Sequence, residues 1–67
     1  MPGYRLYCLD EGGRIAARRE FDAPNDRGAI DHARTNHPDV DCEIWEIGRK
    51  VALVPRDGPA RLFDAID

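Results

Sequence analysis

The sequence has no long apolar run and no leader pattern at its start. No stretch approaches the roughly 18 consecutive apolar residues of a transmembrane helix. No charged start is followed by an apolar centre and a small-residue cleavage site, as a secretory leader requires. The sequence therefore predicts a cytoplasmic protein with no membrane partner.

Cysteine is scarce, and the two that occur, Cys8 and Cys42, are far apart in the chain. Together with His32 and His37 they make up the ligand types of a zinc site, but zinc modules bring their ligands in close pairs, and no such pair is present. We therefore predict no metal ligands. In a reducing compartment the cysteines are expected to be buried thiols, although neighbouring strands could bring them within disulfide distance. A thiol nucleophile would need a histidine brought close by tertiary contacts.

Basic residues are not clustered anywhere along the chain. Nine Arg and one Lys are spread through 67 residues, and the formal net charge is −3. A field of this sign does not attract nucleic acid or anionic lipid. Neither is therefore expected as the main partner.

Catalytic and cofactor-binding patterns are also lacking. The carboxylate pairs Asp39 with Asp41 and Glu43 with Glu46 fit solvated turn and strand positions better than acid–base catalysis. The Gly-Gly pair at 12–13 is followed by neither a lysine nor a helix, so it does not form a phosphate-binding loop. We predict no catalytic residues, no cofactor and no enzymatic activity.

The length allows one small domain. A chain of 67 residues buries only about 60% of the surface of its unfolded state, so its stability margin is thin. Residues 1–55 carry the periodic segments and form the predicted domain. Residues 56–67 form a C-terminal tail in which Leu62, Phe63 and Ile66 are spaced to line one side of a short docking helix.

The alternation of apolar and polar residues predicts two hairpins that flank one helix. Residues 4–10 and 14–21 alternate with the period of a strand, and the glycines at 12–13 suit a two-residue turn. This turn pairs Tyr7 with Arg18, Arg5 with Glu20, and Leu9 with Ala16. The apolar side of the hairpin then consists of Tyr4, Leu6, Cys8, Ile15, Ala17 and Phe21.

A short helix follows the first hairpin. Asn25 is the predicted N-cap, and the narrow apolar stripe consists of Ala29, Ile30 and Ala33. Pro38 disfavours helical geometry at the residue before it, so the helix ends there. The small alanines predict a close approach to a sheet.

Residues 42–47 and 51–54 predict the second hairpin, with its turn at 48–49. Pairing Ile47 with Lys50 places Ile44 opposite Leu53 and leaves both sides apolar. One side holds Cys42, Ile44, Val51 and Leu53, and the other holds Trp45, Ile47, Ala52 and Val54. The predicted fold is α+β, in the order ββαββ, with a four-stranded, mainly antiparallel sheet and one helix on one face.

Four segments form a recognisable pattern: Tyr4-Arg5-Leu6-Tyr7-Cys8-Leu9-Asp10, Gly13-Arg14-Ile15, the alanine-rich helix and Cys42-Glu43-Ile44-Trp45. Together they resemble a group of small bacterial proteins. Their pattern is YRLYxLD, GRI, AIxxA and CExW, and it spans about three quarters of the chain. The pattern is structural in character. No activity is assigned to the group, so the resemblance implies no functional residues.

The sheet face away from the helix is the predicted interaction surface. Its apolar residues are Tyr7, Leu9, Trp45, Ile47 and Val54, and a monomer this small should not leave such a patch bare. We expect a homodimer through this face, or an unidentified protein partner. The chain's own tail, through Leu62, Phe63 and Ile66, is the other available cover. The alternative is single-stranded nucleic acid stacked on a surface of Arg5, Tyr7, Arg18 and Trp45.

Overall fold

Five strands and one helix make up residues 2–63, the part of the chain that the computed structural model describes. In chain order they are β1 (Gly3–Leu9), β2 (Ile15–Asp22), α1 (Asp26–Asn36), β3 (Asp41–Glu46), β4 (Arg49–Val54) and β5 (Arg61–Leu62). The strands form one antiparallel sheet in the order β2-β1-β3-β4-β5. The predicted α+β class with a single helix is confirmed, and the sheet has five strands instead of four.

The fifth strand occupies the start of the predicted tail helix. Leu62 pairs with Ala52, and Arg61 pairs with Leu53. The backbone N–H of Phe63 extends this edge by donating to the Val51 carbonyl at 2.9 Å. This pairing satisfies backbone N–H and C=O groups on the edge of β4, which would lack these partners if the tail formed a helix. Ile66, the third apolar residue expected to line the predicted helix, lies outside the described residues.

The predicted register of the first hairpin is confirmed through its middle. Tyr7 pairs with Arg18 and Arg5 with Glu20. Near the loop, Leu9 pairs with Ile15 instead of Ala16, because the register shifts by one residue there. Ile15 is thus carried away from the helix side and is 57% exposed, which corrects its predicted place in the core.

A three-residue loop causes that shift. The Asp10 N–H donates to the Arg14 carbonyl at 2.8 Å, and Gly13 has φ of 81°. The Asp10 carboxylate accepts from the backbone N–H groups of Gly12 and Arg14, at 2.9 and 3.0 Å. The loop therefore differs from the predicted two-residue Gly-Gly turn, and it matches the three-residue hairpin loops that place glycine in the left-handed region.

Helix α1 begins and ends as predicted. The Asn25 side chain accepts from the Gly28 N–H at 2.8 Å, and Asn25 has extended backbone geometry, as an N-cap does. At the other end the His37 N–H donates to the Ala33 carbonyl at 2.8 Å, immediately before Pro38. With eleven residues, α1 is too short to cross a membrane, and residues 2–63 contain no other helix.

Small side chains hold the helix against the sheet. Ala29 and Ala33 are both fully buried, and α1 lies over β3 and β4. Ile30 packs at the margin of the same cluster. The rest of the buried core consists of Tyr4, Leu6, Cys8, Ala23, Cys42, Ile44, Val51, Ala52 and Val54.

Polar contacts link the start of the helix to the sheet. The Tyr4 hydroxyl donates to the Asp26 carboxylate at 3.0 Å. Arg49 donates to both oxygens of Asp26, at 3.1 and 3.3 Å, and also to Glu46. The Arg49 hydrogen bonds and the Tyr4 hydrogen bond hold the pKa of Asp26 below its usual range, against the opposing effect of burial. This network fixes the β3–β4 turn relative to the helix N-terminus.

The second hairpin departs from its predicted register. Its turn residues are Ile47 and Gly48, with φ of 43° and 77°, so Glu46 pairs with Arg49. A further shift follows at Val51, because Trp45 pairs with Lys50 and Ile44 pairs with Ala52. The bulge buries both Val51 and Ala52.

One correction to the predicted interface follows from this bulge. Val54 pairs with the buried Cys42 and is only 3% exposed, so it faces the helix. Leu53 pairs with Glu43 and takes the opposite side. The assignments of Ala52, Leu53 and Val54 to the two faces were therefore wrong.

Gly28 provides a test of how tightly the helix N-terminus is packed. A Cβ at this position would lie 2.9 Å from Cδ of Pro24, a ring that cannot rotate away. We predict that Gly28→Ala lowers the free energy of unfolding by a net value of about 1 kcal/mol. The clash with Pro24 outweighs the gain of about 1 kcal/mol that alanine brings to a helix.

Urea denaturation followed by circular dichroism measures the effect. Thr35→Ala, at an exposed position of the same helix, is the matched control and should be neutral or stabilising. A more stable Gly28→Ala protein would show that Pro24 does not restrict this position.

Candidate interaction face

The side of the sheet away from α1 has no cover within residues 2–63. Strand alternation and pairing place on it, in strand order, Ile15, Arg18 and Glu20 of β2; Arg5, Tyr7 and Leu9 of β1; Glu43 and Trp45 of β3; Lys50 and Leu53 of β4; and Arg61 of β5. We call these eleven residues the open face. Each is half-buried or exposed, whereas their neighbours on the helix side of β1 and β3 are mostly buried.

Rings and charged groups alternate at the centre of the open face. Arg5 lies directly opposite Trp45, and Tyr7 lies between Arg18 and Glu43 on the two neighbouring strands. The Trp45 indole Nε1 donates to the Glu43 carboxylate at 3.1 Å. Each ring is therefore held beside charged groups.

Two cations of the open face, Arg5 and Lys50, have carboxylates close to them. Arg5 Nη2 lies 3.2 Å from Glu20 Oε2, and Lys50 Nζ lies 3.6 Å from Glu43 Oε2. The neighbouring Tyr7 hydroxyl and the Glu20 carboxylate raise the pKa of the Arg5 guanidinium. Lys50 also lies over the Phe63 ring, 4.7 Å from its centre. Pairs this exposed contribute little to stability and can exchange partners.

A groove of about 570 Å³ crosses one end of this surface. Its walls include Glu20 and Asp22 on one side and Trp45 and Ile47 on the other, with Arg5 and Tyr7 between them. Gly3 adds no side chain at the end of the groove. The hollow is thus a shallow, ring-lined depression with a charged margin.

Comparison with protein-family models, curated proteins and solved structures finds no match for this chain. Its function therefore has to be argued from the described residues alone.

The predicted interface residues separate into three groups. Tyr7, Leu9 and Trp45 lie together on the open face. Ile47 lies in the turn at its end and is 96% exposed. Val54 is buried on the helix side, as described above. Sequence reasoning missed Leu53, which occupies the open face where Val54 was expected, because the bulge in β4 leaves no clear signal in an apolar segment.

The four residues of the alternative nucleic-acid surface do come together. Arg5 and Trp45 are direct cross-strand partners, as are Tyr7 and Arg18. Glu20 and Glu43 lie among them, so phosphate would approach a surface of mixed sign.

The cysteines and histidines do not assemble as a set of four. Cys8 and Cys42 are direct cross-strand partners, and both thiols are free and buried. Cys8 Sγ lies 3.9 Å from His37 Nδ1, whereas the His32 ring stacks on Phe21 with centroids 4.0 Å apart. Residues 2–63 hold no group of three or more potential ligands for a metal ion.

Burial protects one of these thiols from ionisation. It raises the pKa of Cys42 from 9.0 to about 12, and the neighbouring Cys8 adds to the shift. Burial and the hydrogen bond to Asp26 likewise raise the pKa of Tyr4 from 10.0 to about 12. Thiol chemistry depends on the thiolate, so Cys42 is placed as a core residue and not as a nucleophile.

These two groups make the fold sensitive to alkali. Both pKa values are higher in the folded state, so their stabilisation is complete below pH 9 and is lost as pH rises toward 12. We predict that the free energy of unfolding falls across this range. Tyr4→Phe should flatten the decline between pH 10 and 12 while leaving the part that starts near pH 9.

Urea denaturation at a series of pH values measures how the free energy of unfolding changes with pH in the wild type and in Tyr4→Phe. Absorbance at the phenolate band follows tyrosine ionisation directly. An unchanged slope in Tyr4→Phe would contradict the assignment of this sensitivity to the buried hydroxyl.

Proposed function

We propose that this chain is a small, non-enzymatic interaction module that pairs with a second copy of itself through the open face. The observation that carries the proposal is the uncovered group of Tyr7, Leu9, Trp45 and Leu53 on one side of a sheet whose other side holds the core. A chain of this size gains stability when such a surface is buried by association.

The charges of the open face support a second copy as the occupant. Arg5, Arg18, Lys50 and Arg61 are balanced there by Glu20, Glu43 and the adjacent Asp22 and Asp41. The whole chain carries −3, so two copies repel each other less at this face than elsewhere. A two-fold axis brings the same patch of each copy together, and exposed pairs such as Arg5 with Glu20 can then exchange between subunits.

A binding role fits the open face better than a catalytic one. Two of its cations pair with carboxylates on an open surface, whereas acid–base catalysis depends on groups whose pKa is tuned by an enclosed site. The rings of Tyr7 and Trp45 are of the type that anchors protein interfaces. We place the protein in the cytoplasm, where the free thiols of Cys8 and Cys42 remain reduced.

Single-stranded nucleic acid is the second candidate ligand. The cross-strand pairs of Arg5 with Trp45 and Tyr7 with Arg18 favour it, since bases stack on rings while guanidinium groups contact phosphate. The interleaved carboxylates and the net charge oppose it. We therefore rank it below the homodimer.

The homodimer is tested by sedimentation equilibrium over a range of protein concentrations. We expect a mass twice the 7.6 kDa of one chain. Trp45→Ala should raise the dissociation constant by about tenfold or more, because a central ring is lost from the interface. A single-chain mass at every attainable concentration would overturn the proposal.

The matched control is His32→Ala, which removes a half-buried ring from the opposite side of the molecule. It should leave the dissociation constant unchanged. Circular dichroism of both variants shows whether the monomer fold is retained.

Fluorescence polarisation with labelled single-stranded oligonucleotides tests the nucleic-acid alternative to the homodimer. We predict no binding at low salt, where phosphate contacts are strongest. Binding that weakens with added salt and is lost in both Arg5→Ala and Arg18→Ala would instead establish the nucleic-acid function.

A further inference from the structure

Ile47 is both strained and exposed. Its φ of 43° lies in the left-handed region, which β-branched residues rarely adopt, and its side chain is 96% exposed. Asparagine or glycine suits the first position of such a two-residue turn far better. Isoleucine therefore contributes nothing to the folded monomer that a better turn residue would not, and strain of this kind points to a role outside the fold.

The turn that carries Ile47 is held firmly. Arg49, immediately after Gly48, donates to both oxygens of Asp26 at the helix N-terminus and also to Glu46 on the other side of the turn. An exposed apolar side chain on a fixed turn loses little freedom when it binds, so it is suited to act as an anchor.

The groove of about 570 Å³ lies directly beside this anchor. Ile47 forms part of one wall, and Tyr7 and Trp45 supply the ring surfaces next to it. A projection and a hollow that adjoin on one surface are self-complementary: a two-fold axis between them places each projection in the hollow of the other copy. The charged Glu20 and Asp22 then form the polar rim of an apolar contact.

We infer that Ile47 of each copy inserts into the groove of a second copy, beside Tyr7 and Trp45, and that two such reciprocal contacts hold the dimer together. This inference rests on the proposed homodimer and adds to it the residue that anchors the interface and the site that receives it.

The first experiment replaces Ile47 by asparagine. Ile47→Asn should raise the dimer dissociation constant by about tenfold or more. The same variant should unfold at a higher urea concentration than the wild type when both are diluted to monomers, because asparagine tolerates this backbone geometry. Ile47→Gly is a second variant expected to weaken the dimer in the same way.

Leu62→Asn is the control, since Leu62 is an exposed apolar residue, 58% accessible, on the far edge strand. It should leave dimerisation unchanged. If it weakens the dimer as much as Ile47→Asn does, a general loss of surface apolarity explains the effect and the inference fails.

The second experiment mixes Ile47→Asn with Trp45→Ala. The first variant keeps an intact groove and the second keeps an intact anchor, so the mixed dimer retains one of the two contacts while each homodimer retains none. We expect the mixed dimer to be tighter than both homodimers. If its association free energy is only the mean of theirs, Ile47 and Trp45 act independently and the inference is overturned.

The outcomes separate the two proposals. A wild-type protein that stays monomeric overturns both the homodimer and the reciprocal anchor. A wild-type dimer whose dissociation constant is unaffected by Ile47→Asn leaves the homodimer standing and overturns only the anchor.

Discussion

The close approach of α1 to strands β3 and β4 is the constraint on which the rest of the structure depends. Ala29 and Ala33 are fully buried, and their small side chains bring the helix backbone near the sheet. At that distance Asp26 reaches both Tyr4 and Arg49. A single helix covers one side of the sheet. Apolar residues at the alternate strand positions, whose side chains point away from the helix, are therefore left on the other side. The open face is thus a direct result of having only one helix in residues 2–63.

The parts of the fold that local chemistry determines were predictable from the sequence. Asn25 caps the helix because its side chain reaches the Gly28 N–H, and Pro38 marks the end because it cannot continue a helix. The middle of the first hairpin was also predictable, since one side is apolar and the other charged. In such a strand a slip of one residue would bury the wrong set of side chains.

The register of the second hairpin was not predictable from its sequence. Residues 51–54 are all apolar, so no alternation distinguishes one register from another, and the bulge that buries both Val51 and Ala52 has no sequence mark. Ile47 in a left-handed turn contradicts local preference, so the turn was predicted one residue too late. The bulge is the reason that Val54 and Leu53 were assigned to the wrong faces. Strand β5 pairs with the edge of β4, a tertiary contact that the local sequence does not mark. The candidate site was accordingly predicted at Tyr7, Leu9 and Trp45, and it was missed on β4, where Leu53 lies in place of Val54.

The position of β1 between β2 and β3 has a consequence for how the chain folds. Each hairpin joins strands that are close in sequence, so each can form by closing a short loop. The β1–β3 pairing, in which Cys8 meets Cys42, must close a loop containing all of β2 and α1. Closing long loops costs more entropy and slows folding. We therefore expect the β1–β3 pairing to limit the folding rate, and the helix that covers the sheet is also the tether that joins the two hairpins.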